Sequence, residues 1–382
     1  MEIPILKDML VILGLGTVVM FVFSRLKIPT IVGFLLTGIV AGPYGFGLVN
    51  AVKEVEVMAE IGVILLLFSL GLEFSFKRLL KLKQPVLVGG TLQVLLTFLA
   101  VMFAARYFNL SRPEAVFLGF LAALSSTAIV IKLLQERGAT DTPHGRISIG
   151  ILIFQDIIIV PMMMLIPFLA GASGETGFSL LTFSGQIAFL LVIIYTGSKW
   201  LVPFLLKNIA ASRNRELFLL SIAFLVFSIA WMTSWMGLSL ALGAFLAGLI
   251  VSETEYSHSA FGHILPFRDI FMSFFFVSIG MLLNVRTILS NPEIVILVAA
   301  GVIVLKLLTG GVATLFLRYP MRTVVLAVLP LAQIGEFSFI LSREGLKFNL
   351  ISDTAYQIFL AVSILTMMAT PFVMLPGPWW TI

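Results

Sequence analysis

Long apolar runs with few internal charges recur from one end of this 382-residue chain to the other. A helix needs about 20 such residues to cross a bilayer, and only helices or closed barrels satisfy every backbone hydrogen bond in lipid. Barrel strands would alternate polar and apolar residues, a pattern that this chain lacks. The sequence therefore predicts an all-α polytopic membrane protein of about 13 transmembrane helices, at residues 5–24, 30–48, 57–72, 85–107, 114–134, 146–170, 184–206, 215–234, 238–252, 266–284, 293–317, 322–342 and 353–375.

Composition excludes several other classes of protein. Only 11% of the residues are charged and 60% are hydrophobic, whereas a soluble domain carries about 25% charged residues. Because the chain has no cysteine, it can form neither a disulfide framework nor a thiolate metal site. The net charge of +5 is spread between the apolar runs rather than gathered in one patch. We therefore expect the lipid bilayer as a partner and no nucleic acid.

The positions of lysine and arginine predict the orientation of the chain in the membrane. Cytoplasmic loops carry an excess of these residues. If the N-terminus is outside, fifteen of the 24 basic residues fall in inner loops and seven on the outer side, while Lys199 and Lys306 lie inside predicted helices. We expect a multi-pass protein of the plasma (inner) membrane with its N-terminus outside and its C-terminus in the cytoplasm.

Two stretches of five predicted helices resemble each other. Residues 34–40 in the second helix read FLLTGIV, and residues 244–250 in the ninth read AFLAGLI. The fourth helix of each stretch is interrupted, by SSTA at 125–128 and by AQIGEF at 332–337. Secondary transporters often contain inverted repeats with broken helices at the substrate site. We expect helices 2–6 and 9–13 to form two inverted five-helix repeats.

Asp156 is the residue that indicates a function most strongly. An ionisable side chain at the bilayer centre costs about 2.5–3.5 kcal/mol on insertion scales. Asp156 lies roughly ten residues into its apolar segment, so a rise of about 1.5 Å per residue puts it about 15 Å deep. No basic residue lies within one helical turn of it. We interpret Asp156 as a site for a proton or a monovalent cation; a structural hydrogen bond to a neighbouring helix is the alternative.

Neutral oxygen ligands lie near this carboxylate in the predicted arrangement. Gln155 offers an amide carbonyl without adding charge, and the polar break at Ser125, Ser126 and Thr127 offers hydroxyls and freed backbone carbonyls. Hard oxygen ligands of this kind suit alkali cations. Hydrogen bonds between helices are the alternative role for all four side chains.

Two further ionisable residues lie inside predicted helices. Lys306 is near the middle of the eleventh helix, and Asp156 is the obvious candidate for its partner. Glu336 lies beside Gln333 at the break in the twelfth helix. We expect these three residues, Lys306, Glu336 and Gln333, to form a supporting charge network, with purely structural roles as the alternative.

Several motifs together resemble the Kef-type potassium/proton antiporters of the monovalent cation:proton antiporter superfamily. The likeness runs in order through essentially the whole chain. The motifs are LGLE at 70–73, SSTA at 125–128, FQD at 154–156, GAFLAG at 243–248 with Glu255, Tyr256 and His258 after it, FFxxxGM at 275–281, and AQxGEF at 332–337.

This resemblance implies a sodium/proton antiporter-like fold and a homodimer. It implies an elevator-like motion of core helices, roughly 57–170 and 266–345, against a dimerisation domain made of the remainder. Asp156 would be alternately protonated and bound to the cation, and the broken helices at Ser126–Thr127 and Gly335–Glu336 would frame the site. The implied cargo is K⁺, or Na⁺, and H⁺, without a cofactor.

The chain also departs from the family pattern in two places. Kef proteins continue into a cytosolic nucleotide-binding domain, whereas this sequence ends at Ile382. We therefore expect residues 1–382 to be the membrane antiporter domain alone, with any cytosolic regulatory domain or subunit lying outside it. Electrogenic sodium relatives have an acidic residue before the aspartate, and Gln155 in its place favours electroneutral exchange.

The residues leave other functions open. Sodium/proton exchange is the alternative within transport. A gated potassium channel would need a carbonyl filter such as a glycine-rich TVGYG loop, which is absent from the sequence. A non-transporting receptor would not need a carboxylate at the midplane. An enzyme is not expected, because the sequence offers neither a nucleophile–base pair nor a metal-ligand cluster.

Overall fold

The computed structural model of the chain describes residues 4–26, 29–49, 52–73, 84–171, 195–236, 238–290 and 292–374, together with positions 185 and 192. Its α-helices are α1 (Pro4–Leu26), α2 (Thr30–Ala41), α3 (Val52–Glu73), α4 (Thr91–Tyr107), α5 (Arg112–Ala123), α6 (Thr127–Glu136), α7 (Pro143–Gly171), α8 (Val202–Ala211), α9 (Arg215–Trp235), α10 (Leu240–Ser252), α11 (Ser257–Leu282), α12 (Val285–Ser290), α13 (Pro292–Leu315), α14 (Met321–Val328), α15 (Glu336–Lys347) and α16 (Asp353–Val373). Single π-helical turns precede α4 and α8, and a 3₁₀ turn at Leu329–Leu331 follows α14.

Nine helical stretches in the described part of the chain are long and apolar enough to cross a membrane. A tenth is obtained if α14, its 3₁₀ turn and α15 are counted as one bent span. Helices α2 and α10 are apolar but shorter, and the predicted helix at 184–206 lies partly outside the described residues. The all-helical, polytopic prediction is confirmed, while the count of thirteen stays a prediction.

The chain divides into two compact units. The first comprises Met1–Ala51, Arg78–Met162 and Phe276–Ile382, and the second comprises Val52–Lys77 and Met163–Phe275. In the first unit α4 packs against α5 and α13, and α13 also packs against α16. In the second unit α10 packs between α3 and α9. All eight predicted site residues belong to the first unit.

Both predicted breaks are present in the first unit. Helix α5 ends at Ala123 and α6 begins at Thr127, with Leu124 (φ −84°, ψ 145°) and Ser126 (φ −78°, ψ 111°) in extended conformations. The Ser126 hydroxyl accepts a hydrogen bond from the Ile129 N–H (3.2 Å) and so caps α6. The second break separates the 3₁₀ turn from α15, whose axis is bent by 46° relative to the preceding helix. Each break exposes the ends of two half-helices to the interior of the unit.

A pair of glycines brings two helices close together in each unit. In the first unit a Cβ on Gly38 of α2 would lie 2.9 Å from the Cα of Gly280 in α11. In the second unit a Cβ on Gly71 of α3 would lie 2.8 Å from the Cα of Gly248 in α10. Small residues permit this approach between membrane helices, because no side chain separates the backbones.

Candidate functional site

The two helix breaks meet each other directly. The N–H of Gly335 in the second break donates to the carbonyl oxygen of Leu124 in the first (3.1 Å). The Ser125 hydroxyl donates to the carbonyl oxygen of Leu331 (2.9 Å). Backbone groups that the half-helices leave unpaired are thereby satisfied inside the protein, as a lipid environment requires.

Asp156 lies beside the first turn of α6. The Thr127 hydroxyl donates to Asp156 Oδ1 at 2.9 Å, and Asp156 makes a further interaction. Its side chain is largely buried, with 9% of the residue exposed. The N-terminal end of a helix carries partial positive charge, so α6 provides a favourable setting for a carboxylate. Asp156 and Thr127, predicted together from the sequence, are brought together by the structure.

Gln155 stabilises the same break through both ends of its amide. Its Oε1 accepts from the Ser125 N–H (2.7 Å), and its Nε2 donates to Gln93 Oε1 (2.6 Å). The amide oxygen that the sequence suggested as a cation ligand is thus engaged by the backbone. The Ser126 N–H is also satisfied by an amide oxygen. It donates to the Gln333 side chain at 3.0 Å when that amide is oriented so that both of its ends are hydrogen-bonded.

Lys306 is fully buried, with 1% of the residue exposed. The sequence suggested Asp156 as its partner, but the hydrogen bond that the structure gives its Nζ goes to the Leu124 carbonyl oxygen (2.6 Å). Leu124 is the C-cap of α5, where a helix carries partial negative charge. The Lys306 amino group therefore satisfies a backbone carbonyl at the C-terminal end of the half-helix α5.

Glu336 has the complementary position at the start of a half-helix. It is the first residue of α15 and is 3% exposed. Its Oε1 accepts from the Ala128 N–H at 3.3 Å, in the first turn of α6. The residues of the predicted charge network, Lys306, Glu336 and Gln333, thus lie around the two breaks, with the Lys306 amino group on a carbonyl end and the Glu336 carboxyl group on an amide end.

Three buried polar residues of the site were not singled out from the sequence. Gln93 Nε2 donates to the Ala123 carbonyl oxygen (3.3 Å) and to Thr97 Oγ1 (3.2 Å). The Thr97 and Thr309 hydroxyls are hydrogen-bonded at 2.7 Å. A chain of hydrogen bonds thus runs from α13 through α4 and Gln155 to the break. An amide one helical turn before a threonine, inside an apolar run, was the signal available in the sequence.

We expect Gln93→Met to destabilise the protein and to weaken cation binding by several-fold. Methionine has a similar length but leaves Gln155 Nε2 and the Ala123 carbonyl without this partner, and each unsatisfied buried group costs about 1–3 kcal/mol. Thermal unfolding of the purified protein measures the first effect, and cation-dependent stabilisation measures the second. Gln135→Met, at an exposed position of α6, is the matched control. Equal melting temperatures for the two variants would contradict a bracing role for Gln93.

The arrangement can bind a small cation or a proton, but not both on the same oxygen. Asp156 supplies the negative charge, and the Thr127 hydroxyl is a neutral oxygen beside it. Oxygen ligands of this hard type suit alkali cations. The half-helix ends around the carboxylate are held by side chains, so the site is pre-organised.

The chain is similar to known membrane proteins along almost its whole length. The family model described as "Sodium/hydrogen exchanger, transmembrane" matches residues 10–375. K(+) efflux antiporter 5 of Arabidopsis thaliana is 35% identical over 97% of this chain and 66% of its own length. The glutathione-regulated potassium-efflux system protein KefC of Escherichia fergusonii is 32% identical over 98% of this chain and 60% of its own length. The chain thus spans less than two thirds of the length of these relatives.

A solved structure has the same fold. The sodium proton antiporter MjNhaP1 from Methanocaldococcus jannaschii, determined at pH 8, superposes with a TM-score of 0.68 over 97% of both chains. The two sequences are 18% identical. The similarity therefore establishes the architecture and leaves the transported ion to other observations.

Proposed function

Since this chain belongs to the transmembrane sodium/hydrogen exchanger family, we propose that it exchanges potassium for protons across the membrane at Asp156. The observation that carries the proposal is the contact of Asp156 with Thr127 at the N-terminal end of a broken helix. A carboxylate in lipid is costly, and such residues mark ion or proton pathways. Asp156 combines this burial with a site built for a small charged ligand.

Competition for one carboxylate couples the two ions. Deprotonated Asp156 binds a largely dehydrated cation; on the other side of the membrane a proton takes the same oxygen and releases the cation. Because only a neutralised site crosses lipid at low cost, the unloaded and charged site stays on one side. Each cycle moves one cation one way and one proton the other.

Potassium is the favoured cation because two of the relatives compared above are named as K(+) or potassium efflux proteins. Sodium is the second candidate, since the family model and the solved neighbour are described as sodium exchangers or antiporters. Apparent affinities for K⁺, Rb⁺, Na⁺ and Li⁺, measured in one preparation, distinguish the two.

We expect electroneutral, one-for-one exchange. Gln155 is neutral, and its amide oxygen accepts from the Ser125 N–H. Asp156 therefore supplies the negative charge of the FQD motif, which the cation and the proton neutralise in turn. In proteoliposomes with an internal pH dye, cation gradients should move protons at the same rate with and without a potassium/valinomycin clamp. Liposomes with Asp156→Asn give the background. A clamp-dependent rate would indicate an electrogenic stoichiometry, and steady cation flux without proton movement would indicate a channel.

The proposed architecture has thirteen spans and two inverted five-helix repeats. The glycine contacts support it: Gly38 of α2 meets Gly280 of α11, and Gly248 of α10 meets Gly71 of α3. The sequence separation from Gly38 to Gly248 is almost the same as that from Gly71 to Gly280. Two repeats related by a pseudo-twofold axis would produce such a reciprocal pair of contacts.

The proposed cycle uses an elevator-like movement of core helices, roughly 57–170 and 266–345, against the remaining helices in a homodimer. The resemblance to Kef-type antiporters motivates this division, the dimer and any cytosolic regulatory domain or subunit. The excess of lysine and arginine in alternate loops supports an outer N-terminus and a cytoplasmic C-terminus in the plasma (inner) membrane. Accessibility of single cysteines, introduced one at a time into this cysteine-free chain, tests the orientation.

A further inference from the structure

One oxygen of the Glu336 carboxylate is buried without a hydrogen-bond partner among the described residues. Glu336 is 3% exposed, and its Oε1 accepts from the Ala128 N–H. Its Oε2 has no such partner. An ionised Oε2 would be an acceptor without a donor, and a protonated one a donor without an acceptor. Buried polar atoms are nearly always paired, so this oxygen requires an explanation.

The position of Glu336 suggests what its partner is. Ala128 follows Thr127, whose hydroxyl holds Asp156, so the first turn of α6 contacts both carboxyl groups. Glu336 is therefore adjacent to the site proposed for the transported ion. The Ser126 hydroxyl interacts with the Glu336 carboxyl group but carries no charge, so a cation bound there would provide Oε2 with a positive partner.

The assignment implies a charge balance at the site. With Asp156 and Glu336 ionised and Lys306 protonated, the three groups sum to one negative charge, which one monovalent cation cancels. When Asp156 is protonated instead, Glu336 and Lys306 cancel each other. Both loaded states are then neutral, which is the condition for crossing lipid at low cost.

We propose that Glu336 Oε2 is a second anionic ligand for the transported alkali cation, an inference that rests on the proposed exchange at Asp156. Glu336 holds the amide end of α6 through Oε1 and faces the cation through Oε2. It thereby sets how tightly the cation is bound and which size of cation is preferred. The proton of the cycle still resides on Asp156.

Glu336→Gln separates this role from a purely structural one. Glutamine retains an oxygen for the Ala128 N–H but loses the negative charge and replaces Oε2 with a donor. Glu344→Gln is the matched control, because Glu344 lies two turns further along α15 and pairs with Lys347 at 3.0 Å near the surface. Glu336→Asp keeps the negative charge, but its side chain is one methylene shorter, so the carboxylate lies closer to the backbone. This variant replaces Glu336→Gln as the test if the glutamine variant does not fold.

The experiment measures stabilisation of purified protein by KCl, RbCl, NaCl and LiCl at constant ionic strength. We expect the K⁺ concentration for half-maximal stabilisation to rise about tenfold or more in Glu336→Gln, because a full charge near the ion is removed. Glu344→Gln should match the wild type. Glu336→Asp should change the ratio of K⁺ to Na⁺ affinity at least about threefold, since the ligand oxygen moves by roughly one bond length.

The outcomes separate this inference from the proposed function. Wild-type stabilisation by K⁺ that is unchanged in Glu336→Gln, or an unchanged K⁺ to Na⁺ ratio in Glu336→Asp, would overturn the ligand role and leave exchange at Asp156 standing. A wild type that no alkali cation stabilises would overturn the proposed function and this inference together. Stabilisation that weakens only in the Glu336 variants supports both.

Discussion

Asp156→Asn is expected to lower the rate of cation/proton exchange by about 100-fold or more, since a neutral amide removes the buried charge for which the cation and the proton compete. Asparagine keeps an oxygen for the Thr127 hydroxyl, so the break in the helix should persist. It neither carries a negative charge nor binds and releases a proton at neutral pH. Proteoliposome exchange driven by a cation gradient measures the effect.

Asp269→Asn is the matched control for this variant. Asp269 lies in α11, is exposed, and pairs with the adjacent Arg268 at 2.9 Å. Exposed ion pairs contribute little, so exchange should stay within about twofold of the wild type. Full exchange activity in folded Asp156→Asn protein would contradict the assignment of Asp156 as the site of competition.

Gly335→Ala is expected to cost about 3 kcal/mol of stability or more and to abolish most exchange activity. A Cβ at this position would lie 2.4 Å from both the backbone carbon and the carbonyl oxygen of Ser125. Neither atom can rotate away, so the two breaks must separate, and overpacking of this kind costs about 1–3 kcal/mol, occasionally more. The hydrogen bond from the Gly335 N–H to Leu124 would be disturbed as well. Thermal unfolding and exchange are measured on the same preparation.

Gly301→Ala provides the comparison within the same unit. Among the residues that the structure describes, no atom lies within 4 Å of a Cβ at Gly301 in α13, apart from its chain neighbours and its own helix. Alanine favours a helix over glycine by about 1 kcal/mol, so this variant should be as stable as the wild type or more so. If Gly335→Ala behaved like Gly301→Ala, the close contact between the two breaks would not be needed for the site.

The sequence was sufficient to predict the two breaks and to single out Asp156, whose role stays a prediction. A charge in an apolar run is conspicuous because lipid makes it expensive, and a polar or glycine-containing interruption is conspicuous against the same background. The contact of Thr127 with Asp156 joins the first break to this charge. These signals are local in the sequence, so no knowledge of helix packing was required.

Other contacts could not be read from the sequence because they depend on which helices are neighbours. Lys306 was expected to face Asp156, and the structure instead directs its Nζ to the C-terminal end of α5. The direction of the Gln155 amide depends on Gln93, which lies on a different helix. Neutral polar residues such as Gln93 and Thr97 carry no charge and commonly form hydrogen bonds between membrane helices, so they stand out less than an ionisable residue in an apolar run.

The contacts of Lys306 and Glu336 share one structural role. Two half-helix ends at the first break are matched by side chains, with Lys306 on the carbonyl end of α5 and Glu336 on the amide end of α6. These contacts hold the half-helix ends within the interior of the protein. Asp156 then remains beside a helix end whose position is fixed, which is what reversible binding of a small ion requires.

Calorimetric titration of the purified protein with KCl, in two buffers of different ionisation enthalpy, tests competition at Asp156 most directly. The difference between the buffers counts the protons released for each cation bound. We predict about one proton per cation when Asp156 starts protonated, and an apparent K⁺ affinity that falls about tenfold per pH unit on acidification in that range. Cation binding with the same affinity at every pH and without proton release would contradict the account.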